Sequence, residues 1–235
     1  MLCRIADLYV EVPAVGDMPQ RCENYLCQEA VQPDIVIREE VFQPESWPGL
    51  AEELLPYMET GAVFFYELLR RGGLMMHSSA VEMDGKAYLF SGPCGMGKST
   101  HTRLWQSTFG EAAQVFNDDK PALRCLDGTW YAYGVPWCGK DGINQNKKVP
   151  LAGICFLKQA KENKIRRLNR QEALVQLCSQ TTHKFNKAEN LDRMLALIGK
   201  LVQQIPVFEL ENRPEPEAAK LSYETMHKVA QEEGL

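Results

Sequence analysis

Apolar positions along this chain follow two rhythms. Short alternating runs, Ile5-Ala6-Asp7-Leu8-Tyr9-Val10-Glu11-Val12 and Asp34-Ile35-Val36-Ile37, read as half-buried strands. A Gly- and Pro-containing stretch separates the two runs, which predicts a small β annex over residues 1–45. The span from Pro44 to Pro48 then breaks the chain. From Gly49 to Arg71 the apolar residues Leu54, Leu55, Met58, Phe64, Phe65, Leu68 and Leu69 predict a helix. Pro56 and Gly61 are the points where that helix could kink or split.

The second rhythm change begins the domain expected over residues 46–235. Leu74–Met83 and Lys86–Ser91 read as strands joined by Asp84-Gly85, a strong two-residue hairpin signal. After a glycine-rich turn, Lys98–Phe109 reads as a helix closed by Gly110. Strands are expected near 113–117, 121–125, 129–135, 151–158, 164–168 and 207–210, and helices near 170–181, 188–204 and 215–233. Asn169 with Glu172 forms an N-cap pattern at the first of those later helices. Hairpins mixed with a strand-loop-helix unit imply an α/β fold with a mixed sheet, unlike a doubly wound parallel core.

Composition narrows the function classes. At 235 residues the chain can bury a large core, and its 45% apolar and 24% charged content is that of a globular protein. A net charge of −5 argues against a broad nucleic-acid footprint. No window offers the roughly 18 apolar residues of a membrane span. Asp7 interrupts the start where a signal peptide needs an apolar run, so a cytoplasmic location is expected. The eight cysteines are scattered, without a Cys-x-x-Cys pair, and several lie in apolar runs. They read as reduced thiols, with neither disulfide nor structural metal expected.

Chemistry enters at Gly92-Pro93-Cys94-Gly95-Met96-Gly97-Lys98-Ser99, which matches G-x-x-x-x-G-K-[ST] in full and runs on into Thr100. Such glycines let successive backbone N–H groups turn onto phosphate oxygens, at a helix N-terminus whose dipole favours anions. Lys98 is expected to reach the β/γ-phosphates of ATP, and Ser99 to offer its hydroxyl to magnesium. The motif follows an expected strand and opens an expected helix, the context it requires.

Asn117-Asp118-Asp119 closes an apolar strand about 20 residues further on. One of Asp118 and Asp119 would then ligate magnesium and the other take a proton from an attacking hydroxyl, with a solvated Asp-Asp turn as the plain alternative. If the Asp84-Gly85 hairpin keeps ideal register, His77 falls opposite Gly92. There the carboxylates and a polyphosphate would favour the protonated imidazole, in an auxiliary role. The connection from Tyr133 to Pro150 is long, and Trp137 and Ile143 argue against disorder, so it reads as a substrate loop. Lys140 within it is a candidate for steadying developing charge.

Taken together, these residues carry a resemblance. Leu74-Met75-Met76-His77-Ser78-Ser79-Ala80, the glycine loop and Asn117-Asp118-Asp119 resemble the catalytic domain of HPr kinase/phosphorylase and, more distantly, phosphoenolpyruvate carboxykinase. Gly134-Val135-Pro136-Trp137-Cys138-Gly139-Lys140 and Phe208-Glu209-Leu210 are similar to the small HPr-kinase-related proteins of bacteria, some of which accompany peptide-modification systems. The resemblance implies an HPr kinase/phosphoenolpyruvate carboxykinase-like core and a phosphotransferase. It does not extend to HPr itself as acceptor, because no Glu-Val-Arg-Gly-Leu-Gly type signature follows the aspartates.

The reading is therefore an ATP- and magnesium-dependent kinase that phosphorylates a hydroxyl, with serine in a peptide or protein as the expected acceptor. A kinase or carboxykinase-like enzyme acting on a small metabolite uses the same residues, and so does a nucleotide-responsive binding module without chemistry. Oligomeric state is not readable from the sequence.

Overall fold

The structure, a computed structural model, describes residues 1–181 and 188–235. The first strand, β1 (Leu2–Ile5), turns back into β2 (Leu8–Glu11), so the alternating run expected as one strand is a hairpin. Its turn residues Ala6 and Asp7 both take positive φ without a glycine, so turn composition did not announce it. A short helix α1 (Met18–Arg21) follows, and β3 (Ile35–Val36) pairs parallel to β2. These strands form a three-stranded sheet in the order β1-β2-β3.

The long helix α2 (Leu55–Arg70) starts later than the periodicity suggests, after a 3₁₀ turn at Glu52–Leu54. Pro56 lies in its first turn, where a missing N–H costs nothing, and so it opens the helix instead of kinking it. Buried Phe64, Phe65, Leu68 and Leu69 give it one apolar face.

The expected strand from Leu74 to Met83 breaks in two. β4 (Gly73–Met75) and β5 (Ser78–Met83) flank Met76 and His77, and the chain changes partners there. β4 pairs with β8 (Ala122–Leu126), whereas β5 lies between β6 (Lys86–Ser91) and β7 (Gln114–Asp119). The β5–β6 hairpin keeps the counted register, with Met83 opposite Lys86 and Ser78 opposite Ser91, over a turn in which Asp84 and Gly85 both have positive φ. Between these strands the helix α3 (Lys98–Phe109) follows β6.

The remaining elements are β9 (Thr129–Tyr133), β10 (Lys148–Gln159), β11 (Lys164–Arg167), α4 (Arg170–Gln180), α5 (Ala188–Gln204), β12 (Val207–Asn212) and α6 (Pro216–Glu232). The capping box at Asn169 and Glu172 is formed in both directions. The nine-stranded mixed sheet runs β4-β8-β9-β10-β6-β5-β7, with β12 and β11 added through β10. β10 runs parallel to β6 and β12 and antiparallel to β9.

Strands at the centre are buried on both faces, which is why β6 reads as a continuous apolar run. Ala87 and Leu89 join one core with α2 and α5, and Tyr88 and Phe90 join another with Trp105 of α3 and Met226 of α6. The architecture is α/β with helices over a mixed, curled sheet. No helix among the described residues is long and apolar enough to cross a membrane. All eight cysteines are free thiols.

Candidate active site

The link from β6 to α3 is the 92–97 loop, in which Gly92, Gly95 and Gly97 have φ of 149°, 78° and 96°. Side chains rarely adopt that region, so these three positions need glycine for the loop to wind tightly onto the helix start. Pro93, Cys94, Gly95 and Thr100 are exposed, while Met96 and Gly97 are half-buried. Lys98 is buried and folds back on the loop, donating to the carbonyl of Gly92 at 2.9 Å and to that of Pro93 at 3.3 Å. Burial holds its ammonium below the ordinary lysine range, against the opposing pull of Asp119, Cys94 and Asp118.

One residue on, the Ser99 hydroxyl faces the Asp118 carboxylate, at 2.8 Å from Oδ2 and 3.1 Å from Oδ1. Asp118 is buried at the end of β7. The pairing of β5 with β7 shifts register between Ala80 and Val81, so the end of β7 is offset from the alternation expected of a regular strand.

Asp119 occupies a different environment. Its backbone takes φ of 98°, uncommon for a side chain other than glycine, and turns the chain out of the strand. Oδ2 accepts a 2.5 Å hydrogen bond from the Tyr57 hydroxyl and lies 3.7 Å from Lys120 Nζ. Oδ1 lies 3.5 Å from His77 Nε2. Burial, the Asp119 charge and the hydrogen bond to it all push the Tyr57 phenol up, which keeps it a donor. Lys120 Nζ sits 4.6 Å from the centre of the Tyr57 ring.

His77 is held at the β4–β5 break. Its N–H donates to Gln180 O at 2.9 Å, and its carbonyl accepts from Ser91 Oγ at 2.8 Å. Ring Nδ1 lies 3.2 Å from Gln180 Oε1, and Nε2 faces Asp119. The sequence expectation of a protonated imidazole concerns a site that also holds a polyphosphate; without one, the balance at His77 runs the other way. Burial first, and then Lys98, lower its pKa below 6.5 and outweigh the raising effect of Asp119.

The 134–147 segment runs beside the end of β7. Gly139 N donates to Asp118 O at 2.8 Å, and Asp119 and Cys138 form an isolated antiparallel bridge. Trp137 is fully buried, stacks on Phe64 at 4.5 Å and donates to Thr60 Oγ1 at 3.0 Å. The segment is thus packed down, as Trp137 and Ile143 suggested. Lys140, by contrast, is exposed and has no ion-pair partner among the described residues. It makes no ion pair with Asp118 or Asp119, although Gly139 beside it is bonded to the Asp118 backbone.

The structure therefore gathers His77, Lys98, Ser99, Asp118 and Asp119 from three separate segments. Sequence reasoning missed Tyr57, Lys120 and Arg21, which surround Asp119 and the bridge to Cys138. Lys120 follows the aspartates directly and could have been flagged, but nothing in the sequence marks Tyr57 or Arg21. No cluster of three or more His, Cys, Asp or Glu suited to hold a metal ion is present among the described residues. Magnesium seldom needs one, since it takes one or two carboxylates and completes its shell with water and phosphate oxygens. The Ser99–Asp118 pair is a fitting donor set of that kind. A cavity of about 430 Å³ bordered by Arg4, Cys27, Glu29 and Asn146 shares no residue with this site.

A family model described as ScmC, SynChlorMet cassette protein ScmC, matches residues 51–213. That span holds every sequence-predicted site residue and stops short of Arg21. No curated protein matches the chain. Among solved structures, it is similar to the Hpr(Ser) kinase/phosphatase from Coxiella burnetii at 12% identity. That similarity has a TM-score of 0.37 and covers 67% of this chain and 92% of the other.

Proposed function

We propose that this chain, which belongs to the SynChlorMet cassette protein ScmC family, is an ATP- and magnesium-dependent kinase that transfers the γ-phosphoryl group to a hydroxyl, of the serine class in a peptide or protein. The observation that carries this reading is the Ser99 hydroxyl 2.8 Å from Asp118 Oδ2 at the head of a helix entered through a tight glycine loop. A plain strand-helix turn has no use for a lysine buried against its own loop carbonyls, beside a hydroxyl–carboxylate pair.

Phosphoryl transfer asks chiefly for positioning and charge neutralisation. The 92–97 loop would act as the phosphate loop, its N–H groups and the start of α3 receiving phosphate oxygens. Lys98 would exchange the Gly92 carbonyl for the β/γ-phosphates. Ser99 and Asp118 would hold magnesium, which neutralises charge on the phosphates when bound. Asp119 would take the proton of the acceptor hydroxyl at Oδ1, the oxygen not bonded to Tyr57, with neutral His77 alongside to orient that hydroxyl. The asymmetry between the two carboxylates supports this division: Asp118 turns to Ser99, and Asp119 turns to Tyr57, Lys120 and His77.

The test is incubation of γ-labelled ATP and magnesium with extract of cells lacking this gene, with and without the protein. Label appearing on a peptide or protein serine only with active protein is the expected result. Label confined to a small metabolite would replace the acceptor class, and no transfer beyond background would overturn the kinase reading.

A further inference from the structure

We infer that Arg21, on the amino-terminal helix α1, is a positioning residue of this site that holds Asp119 through Tyr57 and through the backbone at Cys138. Its catalytic consequence rests on the proposed phosphoryl transfer, while its structural consequence does not.

Arg21 reaches the site by three contacts. Nη1 donates to the Cys138 carbonyl at 2.6 Å. The guanidinium carbon lies 4.7 Å from the centre of the Tyr57 ring. The Arg21 carbonyl in turn accepts from Asn144 Nδ2 at 3.2 Å. The Nε edge is pinned by Asp17 at 2.6 Å, which fixes the plane of the fork.

Both groups that Arg21 holds are partners of Asp119. Tyr57 donates to Asp119 Oδ2 at 2.5 Å, and Cys138 is its backbone bridge partner. A cation against a ring restrains the ring, and the ring carries the hydroxyl that orients the carboxylate. Lys120 also lies against Tyr57, so the phenol is held by cations from two segments far apart in sequence. The side chain of Arg21 is 15% exposed, which shields these contacts from solvent. A base must sit within hydrogen-bond reach of the proton it takes, so a small misplacement of Asp119 would show in turnover. On the proposed function, nucleotide affinity rests on the 92–97 loop and Lys98, to which Arg21 makes no contact among the described residues.

The full chain labelled with 3-fluorotyrosine tests this, with the Tyr57 fluorine resonance assigned by Tyr57→Phe. Arg21→Met is expected to move that resonance in the same direction as Asp119→Asn, and Arg21→Lys to restore part of the shift. In transfer assays Arg21→Met should lower kcat by about 10- to 100-fold while KM for ATP stays within about threefold. Combining it with Tyr57→Phe should cost little more than either alone. If Arg21→Met does not fold, Arg21→Lys and Tyr57→Phe give the same comparison. An unmoved Tyr57 resonance, or kcat losses that simply multiply, would overturn the role of Arg21. If the wild type transfers no phosphate the kinase reading falls, and the fluorine resonance alone decides whether Arg21 holds Tyr57.

Discussion

The hydroxyl of Ser99 lies 2.8 Å from Oδ2 of Asp118, joining the first turn of α3 to the end of β7 across 19 positions of sequence. The neighbouring Asp119 is bound instead to Tyr57, so two adjacent carboxylates present themselves to two different partners. Neighbouring side chains of a strand point to opposite faces, and the positive φ at Asp119 turns the chain out of β7 just there.

The pair Ser99–Asp118 predicts a split between nucleotide and metal binding. Asp118→Asn and Ser99→Ala should each weaken magnesium-dependent ATP binding by about tenfold or more, since each would remove a proposed ligand or its support. Metal-free nucleotide affinity should change far less. Calorimetric titrations with and without magnesium check this, and equal losses in both would contradict it.

Asp119→Asn should act on the chemical step. If Asp119 is the base of the proposed transfer, its loss should lower turnover roughly 10²- to 10⁴-fold, with magnesium-ATP affinity nearly unchanged. Steady-state transfer kinetics beside the binding titration separate the two aspartates. Near wild-type turnover in both Asp118→Asn and Asp119→Asn would reduce the pair to a solvated turn.

His77 should titrate below pH 6.5 because burial and Lys98 both disfavour its cation. Asp119 pulls the other way, so the midpoint should fall further in Asp119→Asn and rise in Lys98→Met. The imidazole is then neutral at pH 7 and gains its proton only as pH drops. Histidine NMR titration reads all three proteins directly.

His101 makes a prediction about stability. Buried under α6 with Nε2 on Ser222 Oγ at 3.0 Å, it is pushed by burial down to about 3. The folded pKa is depressed, so its contribution is complete above pH 6.5 and lost as pH falls toward 3. The expected slope is about 1.4 kcal/mol per pH unit below 6.5. Denaturant unfolding of wild type and His101→Gln should show that slope in the wild type and its loss in the variant.

Gly134 governs the packing of the 134–147 segment. A Cβ there would stand 1.8 Å from the Gln145 carbonyl oxygen and 3.2 Å from that of Phe116. Both obstacles are backbone, so Gly134→Ala should cost about 3 kcal/mol or more by overpacking. A melting temperature within a degree of wild type would show that the segment moves freely.

Much of this was legible in the sequence where the determinants are local. The Asp84-Gly85 turn fixed the β5–β6 register, and Asn169 with Glu172 marked the start of α4. The glycine loop between strand and helix could be read for the same reason. The hairpin at Ala6-Asp7 could not, because it uses positive φ at residues that do not advertise it. The strand break at His77 follows from a change of partners between β8 and β6, which is tertiary information. Tyr57 reaches Asp119, and Arg21 reaches Tyr57 and Cys138, from distant segments, and no periodicity links them. Burial and Lys98, which weigh against the His77 cation in the nucleotide-free site, are likewise tertiary information.

The most direct test of the whole account is calorimetric titration of the full chain with magnesium-ATP, alongside Lys98→Ala. Saturable one-to-one binding by the wild type, lost in a Lys98→Ala protein that melts normally, is the predicted result. Absence of binding by the folded wild type, or equal binding by both proteins, would contradict it.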